Sequence, residues 1–132
     1  MRLALLALLL LPGPAPAQEV IPPAAFAALA EGHTLHFSLD GAPFGSEQYF
    51  PGRRSLWRTA DGRCEAGTWW EAGDLVCFDY GDGLPAQCWR FRRGADGVTA
   101  THVEGGLEAA TPLRLTGRDE APLDCPGPNV GS

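Results

Sequence analysis

Short stretches of alternating hydrophobic and polar residues fill the middle of the chain. In residues 75–80, Val76, Phe78 and Tyr80 fall on one face of an extended strand, and the residues between them fall on the other. Turn signals containing glycine, aspartate or proline recur every nine to fourteen residues from position 40 to position 106. Such spacing is typical of antiparallel neighbours joined by short turns. The pattern predicts an all-β antiparallel meander of seven or eight strands that forms a small barrel or half-barrel.

The turn signals also set the bounds of each predicted element. The predicted strands cover 34–39, 46–50, 54–59, 63–71, 74–80, 86–92, 98–104 and 107–115. One short helix precedes them, because Pro22 and Pro23 suit a first turn, alanines favour helix, and Gly32 suits its end. Phe26 and Leu29 are three residues apart and are expected to dock this helix on the sheet.

The first 17 residues have the features of a signal peptide. Arg2 supplies a positive start, 3–11 is an apolar run, and 15–17 reads Ala-Pro-Ala, a small-x-small cleavage site. The run is far shorter than the roughly 20 residues of a membrane-spanning helix. We therefore expect the mature protein to reside in the periplasm or to be secreted.

Cleavage after residue 17 leaves 115 residues (132 − 17), which is the size of a single domain. Residues 18–32 form the lead-in with the short helix, and 33–115 form the β-meander domain. Residues 116–132 are rich in proline and glycine, so they predict an irregular tail that a disulfide tethers.

Four cysteines in an exported chain indicate two disulfides. A turn centred on 82–83 places Cys77 directly opposite Cys88, within the roughly 7 Å between Cα atoms that a bridge tolerates. Cys64 is offset from Cys77 in their hairpin by four residues, about 13 Å along a strand. The register thus predicts Cys77–Cys88 and, by elimination, Cys64–Cys125. The spacings resemble no zinc or haem-attachment pattern.

Removal of Arg2 with the signal peptide changes the net charge from −6 to −7. This charge argues against nucleic acid or anionic lipid as a partner. Seven arginines lie between positions 53 and 93. With Tyr49 and Trp57 they could form a surface for anions or aromatic ligands, although a solvated face paired with Glu and Asp is the simpler interpretation.

The sequence predicts no catalytic residue, no cofactor-binding residue and no metal ligand. His33 and His36 are three apart on a strand, so they point to opposite faces and cannot share an ion. The segment 44–46 reads as a turn entering a strand, and G-x-S-x-G is absent. The remaining acidic candidates are interpreted as solvated strand and turn positions: Glu65, Glu71, Asp74 and Asp79.

Several motifs in the middle of the chain form a recognisable series. They are G-H-T-L-x-F at 32–37, F-G-x-E-Q-Y-F-P-G-R-R-x-x-W at 44–57, G-x-C-x-x-G-x-W at 62–69, L-V-C-F-x-Y at 75–80 and Q-C-W-x-F at 87–91. Over roughly 26–92 the chain resembles small exported alphaproteobacterial proteins of uncharacterised function. It is more loosely similar to lipocalin-like periplasmic domains. The resemblance implies a β-barrel and brings no catalytic residues.

These observations together favour an exported, non-enzymatic binding module. Small barrels can enclose one ligand, and twelve aromatic residues are more than a minimal core needs. The expected partner is a small apolar ligand inside the barrel or a basic protein on its surface. The alternative is an acidic inhibitor of a basic cell-wall hydrolase such as lysozyme, or an envelope-stress protein. An enzyme is the least favoured class.

Overall fold

The structure is a computed structural model that describes residues 10–14 and 17–126. Most of the predicted signal peptide, namely 1–9 and 15–16, and the last part of the tail, 127–132, lie outside the described residues. Within the described ranges, no helix has the length and apolar character needed to cross a membrane.

One helix and ten strands follow one another along the described residues. They are β1 (Glu19–Val20), α1 (Pro23–Ala30), β2 (Thr34–Leu39), β3 (Ala42–Phe50), β4 (Arg54–Thr59), β5 (Cys64–Ala72), β6 (Leu75–Asp79), β7 (Gln87–Gly94), β8 (Gly97–Glu104), β9 (Leu107–Glu108) and β10 (Leu113–Asp119).

Eight of these strands close into an antiparallel barrel. Neighbours in sequence pair from β2 through β8, and β10 lies between β8 and β2. The two-residue strands β1 and β9 extend the edges of β7 and β8. Closure leaves no long unpaired edge, which an open sheet of this length would expose. The predicted all-β meander barrel with one short helix is confirmed.

Two predicted strands differ from the observed ones by more than two residues. Strand β3 begins at Ala42 rather than 46, because its first residues continue the ladder with the end of β2. The predicted strand 107–115 divides into β9 and β10, and β10 continues four residues beyond 115, where Asp119 pairs with Thr34. Its bulge between Leu115 and Gly117 lets this polar segment follow β2 to its start.

Helix α1 seals one end of the barrel. The ring of Phe26 is fully buried, with its centroid 5.7 Å from that of Tyr49, 5.5 Å from that of Trp69 and 4.3 Å from that of Phe91. Phe26 and Ala30 are the buried residues of the helix, whereas Leu29, the predicted second contact, is only partly buried. The helix therefore docks mainly through one phenylalanine that reaches into the barrel.

The residues that follow β10 form a strap, defined here as 120–125, across the outer face of β2 to β5. Successive strap residues bond to successive strands: Ala121 O accepts from Thr34 Oγ1 (2.7 Å), Leu123 N donates to Gln48 Oε1 (2.9 Å), Asp124 O accepts from Arg58 Nε (3.0 Å), and Cys125 is bridged to Cys64. Leu56 faces outward on β4 yet is only 3% exposed beneath this strap.

Both disulfides lie on the outer face of the barrel. Cys77 is directly opposite Cys88 in the β6–β7 ladder, with their Cα atoms 4.0 Å apart. Cys64 and Cys125 have Cα atoms 5.9 Å apart. These are the two pairs predicted from the strand register, and the Cys77–Cys88 register holds although the connection spans 80–86 rather than a two-residue turn.

We expect the longer disulfide loop to contribute more to stability. In the chain-entropy model, the bridge spanning 61 residues of sequence contributes about 4 kcal/mol and the bridge spanning 11 contributes about 3 kcal/mol. Urea unfolding should therefore show a larger loss for the Cys64→Ala/Cys125→Ala variant than for Cys77→Ala/Cys88→Ala. The reverse order would mean that the strap contributes little to the folded state.

Candidate ligand-binding cavity

The open end of the barrel, opposite α1, leads into a cavity of about 460 Å³. This volume lies within the range of small-molecule sites, roughly 300–1,000 Å³. Eight of its seventeen lining residues are aromatic: Phe37, Phe44, Tyr49, Trp57, Phe78, Tyr80, Trp89 and Phe91. Two thirds of the chain's twelve aromatic residues thus line the cavity. Tyr49 and Trp57 belong to this wall and not to an arginine-rich surface.

Two glycines make room for the aromatic walls. A Cβ atom at Gly45 would collide with the ring of Trp57 on the next strand. A Cβ atom at Gly67 would lie 2.7 Å from Tyr80 Cδ1 and 2.9 Å from the carbonyl oxygen of Asp79. The absence of a side chain at these two inward positions lets large rings fold across the neighbouring strand.

Two carboxyl groups share the inner wall with one tryptophan. In the sheet register, Glu47 on β3 is opposite Trp57 on β4, and Trp57 is opposite Glu65 on β5. Residues that are directly opposite share a face, so all three point into the barrel, and all three line the cavity. The prediction that Glu65 is a solvated strand position is corrected, because this side chain is half-buried at the cavity wall.

Glu47 is the most deeply buried acidic or basic residue in the described part of the chain. It is 2% exposed, and its Oε2 accepts a hydrogen bond of 2.9 Å from Tyr80 Oη. Its Oε1 has no hydrogen-bond partner among the described residues, and neither has the buried Oγ of Ser55. A buried, half-satisfied carboxyl group is costly to fold and is typical of a functional position.

Burial is the main reason that the pKa of Glu47 is raised to about 8, and the nearby charge of Glu65 contributes to the rise. The hydrogen bond from Tyr80 and the nearby hydroxyl group of Ser55 act against it. The carboxyl group is therefore mostly neutral at pH 7. Burial and the proximity of Glu47 also raise the pKa values of Tyr49 and Tyr80 above the usual value for tyrosine, so both phenols keep their protons.

The mouth of the cavity is more polar than its depth. Asp61 and Arg63 lie beside each other there, with 3.6 Å between Asp61 Oδ2 and Arg63 Nε, and their side chains are 69% and 71% exposed. The Thr59 hydroxyl and Arg63 hold the pKa of the Asp61 carboxyl below its usual value, so this group is ionised at neutral pH. The cavity thus passes from a charged rim to an aromatic interior.

The structure also places the residues that the sequence considered for metal binding. His36 lies on the outer face, His33 lies 3.6 Å from Glu120, and the ring of His102 packs on that of Trp89. Across residues 10–14 and 17–126, no group of three or more His, Cys, Asp or Glu side chains is arranged to hold a metal ion.

One serine–histidine–aspartate contact forms on the outer face, and the sequence analysis did not predict it. His36 Nδ1 lies 2.7 Å from Ser46 Oγ, and His36 Nε2 lies 2.8 Å from Asp119 Oδ2. The hydrogen bond with His36 lowers the pKa of the Asp119 carboxyl, so an ionised Asp119 accepts from Nε2. Two of the three residues, His36 and Ser46, line a second hollow of about 430 Å³.

The surroundings of this contact favour a structural role. Ser46 is paired on both sides, with His36 on β2 and Arg58 on β4, so the backbone N–H groups around it belong to the sheet ladder. Acyl transfer needs free N–H donors to stabilise the oxyanion. The contact joins β2, β3 and β10 side by side, and we interpret it as a cross-strand link at the barrel closure.

Adding a single methyl group at Gly67 should destabilise the barrel. Gly67→Ala forces Tyr80 and the adjacent backbone apart, at a cost of about 1–3 kcal/mol in the free energy of unfolding. Ala66→Val adds bulk at the neighbouring, outward and exposed position and should change stability by less than about 0.5 kcal/mol. Equal effects of the two variants in urea unfolding would contradict the close approach of Tyr80.

The raised pKa of Glu47 predicts a loss of stability as the pH rises. The folded state holds this proton more tightly than the unfolded state does, so the stabilisation is complete below about pH 4.5 and is lost towards pH 8. We expect roughly 2 to 5 kcal/mol over this window. Glu47→Gln should remove this dependence, whereas Asp96→Asn, at an exposed turn, should keep it. Parallel pH profiles for wild type and Glu47→Gln would contradict the burial of an acid.

Comparisons with known proteins give no relative from which a function could be transferred. No protein-family model, no curated protein and no solved structure matches this chain. Its function must therefore be argued from the barrel and its cavity.

Proposed function

We propose that this chain is an exported, non-enzymatic binding module that holds a small, largely apolar molecule inside its barrel. The observation that carries the proposal is the cavity of about 460 Å³, open at one end, walled by aromatic rings and containing the buried Glu47. Sites for small molecules combine an apolar wall with a few polar groups that fix the orientation of the ligand.

The shape of the interior supports a ligand site over a packed core. Phe26 fills the helix end, where it contacts Tyr49, Trp69 and Phe91. Nothing comparable fills the other end among the described residues, although the rings of Phe78 and Trp89 point into it. The interior of an eight-stranded barrel is just wide enough to be filled by side chains or to hold one small ligand.

The two disulfides support residence in an oxidising compartment, because such bridges persist outside the cytoplasm. Together with the signal-peptide pattern of 1–17, they favour the periplasm or secretion. A binding role fits the resemblance to exported lipocalin-like domains better than catalysis does. The alternative role, inhibition of a basic hydrolase through the acidic surface, stays a prediction from net charge alone.

Binding of a neutral fluorescent probe tests this proposal. N-phenyl-1-naphthylamine should bind wild-type protein with a blue shift and a dissociation constant in the micromolar range. Ala100 is 2% exposed and lines the cavity next to Phe91, so Ala100→Leu narrows the site and should weaken binding at least tenfold. Ala66→Leu places the same side chain on the outer face and should leave the affinity unchanged.

Circular dichroism and thermal unfolding of both variants would show that they are folded. The proposal fails if wild-type protein gives no saturable signal up to about 100 μM probe. It also fails if a folded Ala100→Leu protein binds as tightly as wild type.

A further inference from the structure

We propose that the cavity is selective for molecules that carry one ammonium group on an apolar body, with the carboxylate of Glu47 as the counter-ion. This inference rests on the proposed function, because it names the ligand class of the same cavity. It is carried by the position of Glu47 among aromatic rings and by the distribution of charge from the mouth to the depth.

The first argument is the geometry of the two inner carboxyl groups. Glu47 and Glu65 lie on either side of Trp57 in one register row, so two strand spacings separate them, about 10 Å between Cα atoms. A small group at the face of Trp57 can approach both. Tyr80 already occupies Oε2 of Glu47, whereas the buried Oε1 has no hydrogen-bond partner among the described residues, and the Glu47 side chain lines the cavity.

The second argument is the sign of the surroundings. Aromatic faces carry partial negative charge and attract cations, most strongly at tryptophan and tyrosine. Trp57, Tyr80 and Phe78 all line the cavity. Asp61 adds a negative charge at the mouth. A ligand with a carboxylate would meet no positive charge among the described residues that line the depth of this site.

The third argument is the absence of an internal counter-ion among the lining residues. Arg63 is the only cationic residue in the described lining, and it sits at the rim with its side chain 71% exposed and paired with Asp61. A buried carboxylate is stable only beside a positive charge. An ammonium group of the ligand can supply that charge, and Glu47 then ionises.

The ionisation of Glu47 when an ammonium group binds predicts a measurable release of protons. Glu47 faces the phenols of Tyr49 and Tyr80 and the carboxyl group of Glu65, and it is mostly neutral at pH 7 because its pKa is about 8. An ammonium ligand that ionises it should release most of one proton per site at pH 7. A neutral ligand that accepts a hydrogen bond from the acid should release none.

Three ligands of one shape test the inference: 1-naphthylmethylamine, 1-naphthalenemethanol and 1-naphthoate. Calorimetric titration of the full chain at pH 7 should show the amine binding at least tenfold tighter than the alcohol, with 1-naphthoate weakest. Repeating the amine titration in phosphate and in Tris, which differ in ionisation enthalpy, should yield the expected proton release.

Two substitutions test whether Glu47 is responsible for the preference for the amine. Glu47→Gln keeps an acceptor for Tyr80 but cannot ionise, so the preference for the amine over the alcohol should fall to less than about twofold. Asp96→Asn removes an exposed carboxyl group at the opposite end of the barrel and should keep the full preference.

The outcomes separate this inference from the proposed function. Equal binding of amine and alcohol by wild type, or amine binding without proton release, overturns the ammonium selectivity and leaves a ligand-binding barrel. Tightest binding of 1-naphthoate overturns it as well. If neither the naphthyl ligands nor the neutral fluorophore binds, both proposals fail. The proton release of wild-type protein decides the question even if Glu47→Gln does not fold.

Discussion

The packing of Phe26 against Tyr49, Trp69 and Phe91 is the constraint on which the rest of this structure depends. An eight-stranded barrel has two open ends, and a helix of eight residues is too short to be stable without docking. One buried ring serves both needs, because it anchors the helix and fills the interior at that end. The barrel is therefore closed at the helix end and open at the other end, where aromatic residues line a cavity.

The carboxyl group of Glu47 is the main cost of this arrangement. Burial away from water favours its neutral form, and only one of its oxygens is hydrogen-bonded within the described residues. A phenylalanine or leucine in its place would pack without that cost. The requirements of the fold therefore do not explain an acid between aromatic rings, opposite Trp57 and near Glu65.

The outer face of the barrel performs a different task. Two disulfides, the strap 120–125 and the contact of His36 with Ser46 and Asp119 join neighbouring strands from outside. Ion pairs do the same where Arg90 contacts both Asp74 and Glu108. Because these links hold the wall from outside, the inner face is free to carry a cavity where a closely packed core would otherwise be needed.

The sequence by itself determined the strands and the barrel class, since these depend on period-two alternation and on turn residues. It also determined Cys77–Cys88 from the register within one hairpin, and Cys64–Cys125 followed by elimination. It did not place Glu47 or Glu65, because a lone acid on a strand has the same local pattern whether it faces water or a cavity. It also missed the end of β10 and the contact between Ser46, His36 and Asp119, which are up to 83 residues apart. Only closure of the barrel brings such distant positions together and decides which side of each strand is the inside.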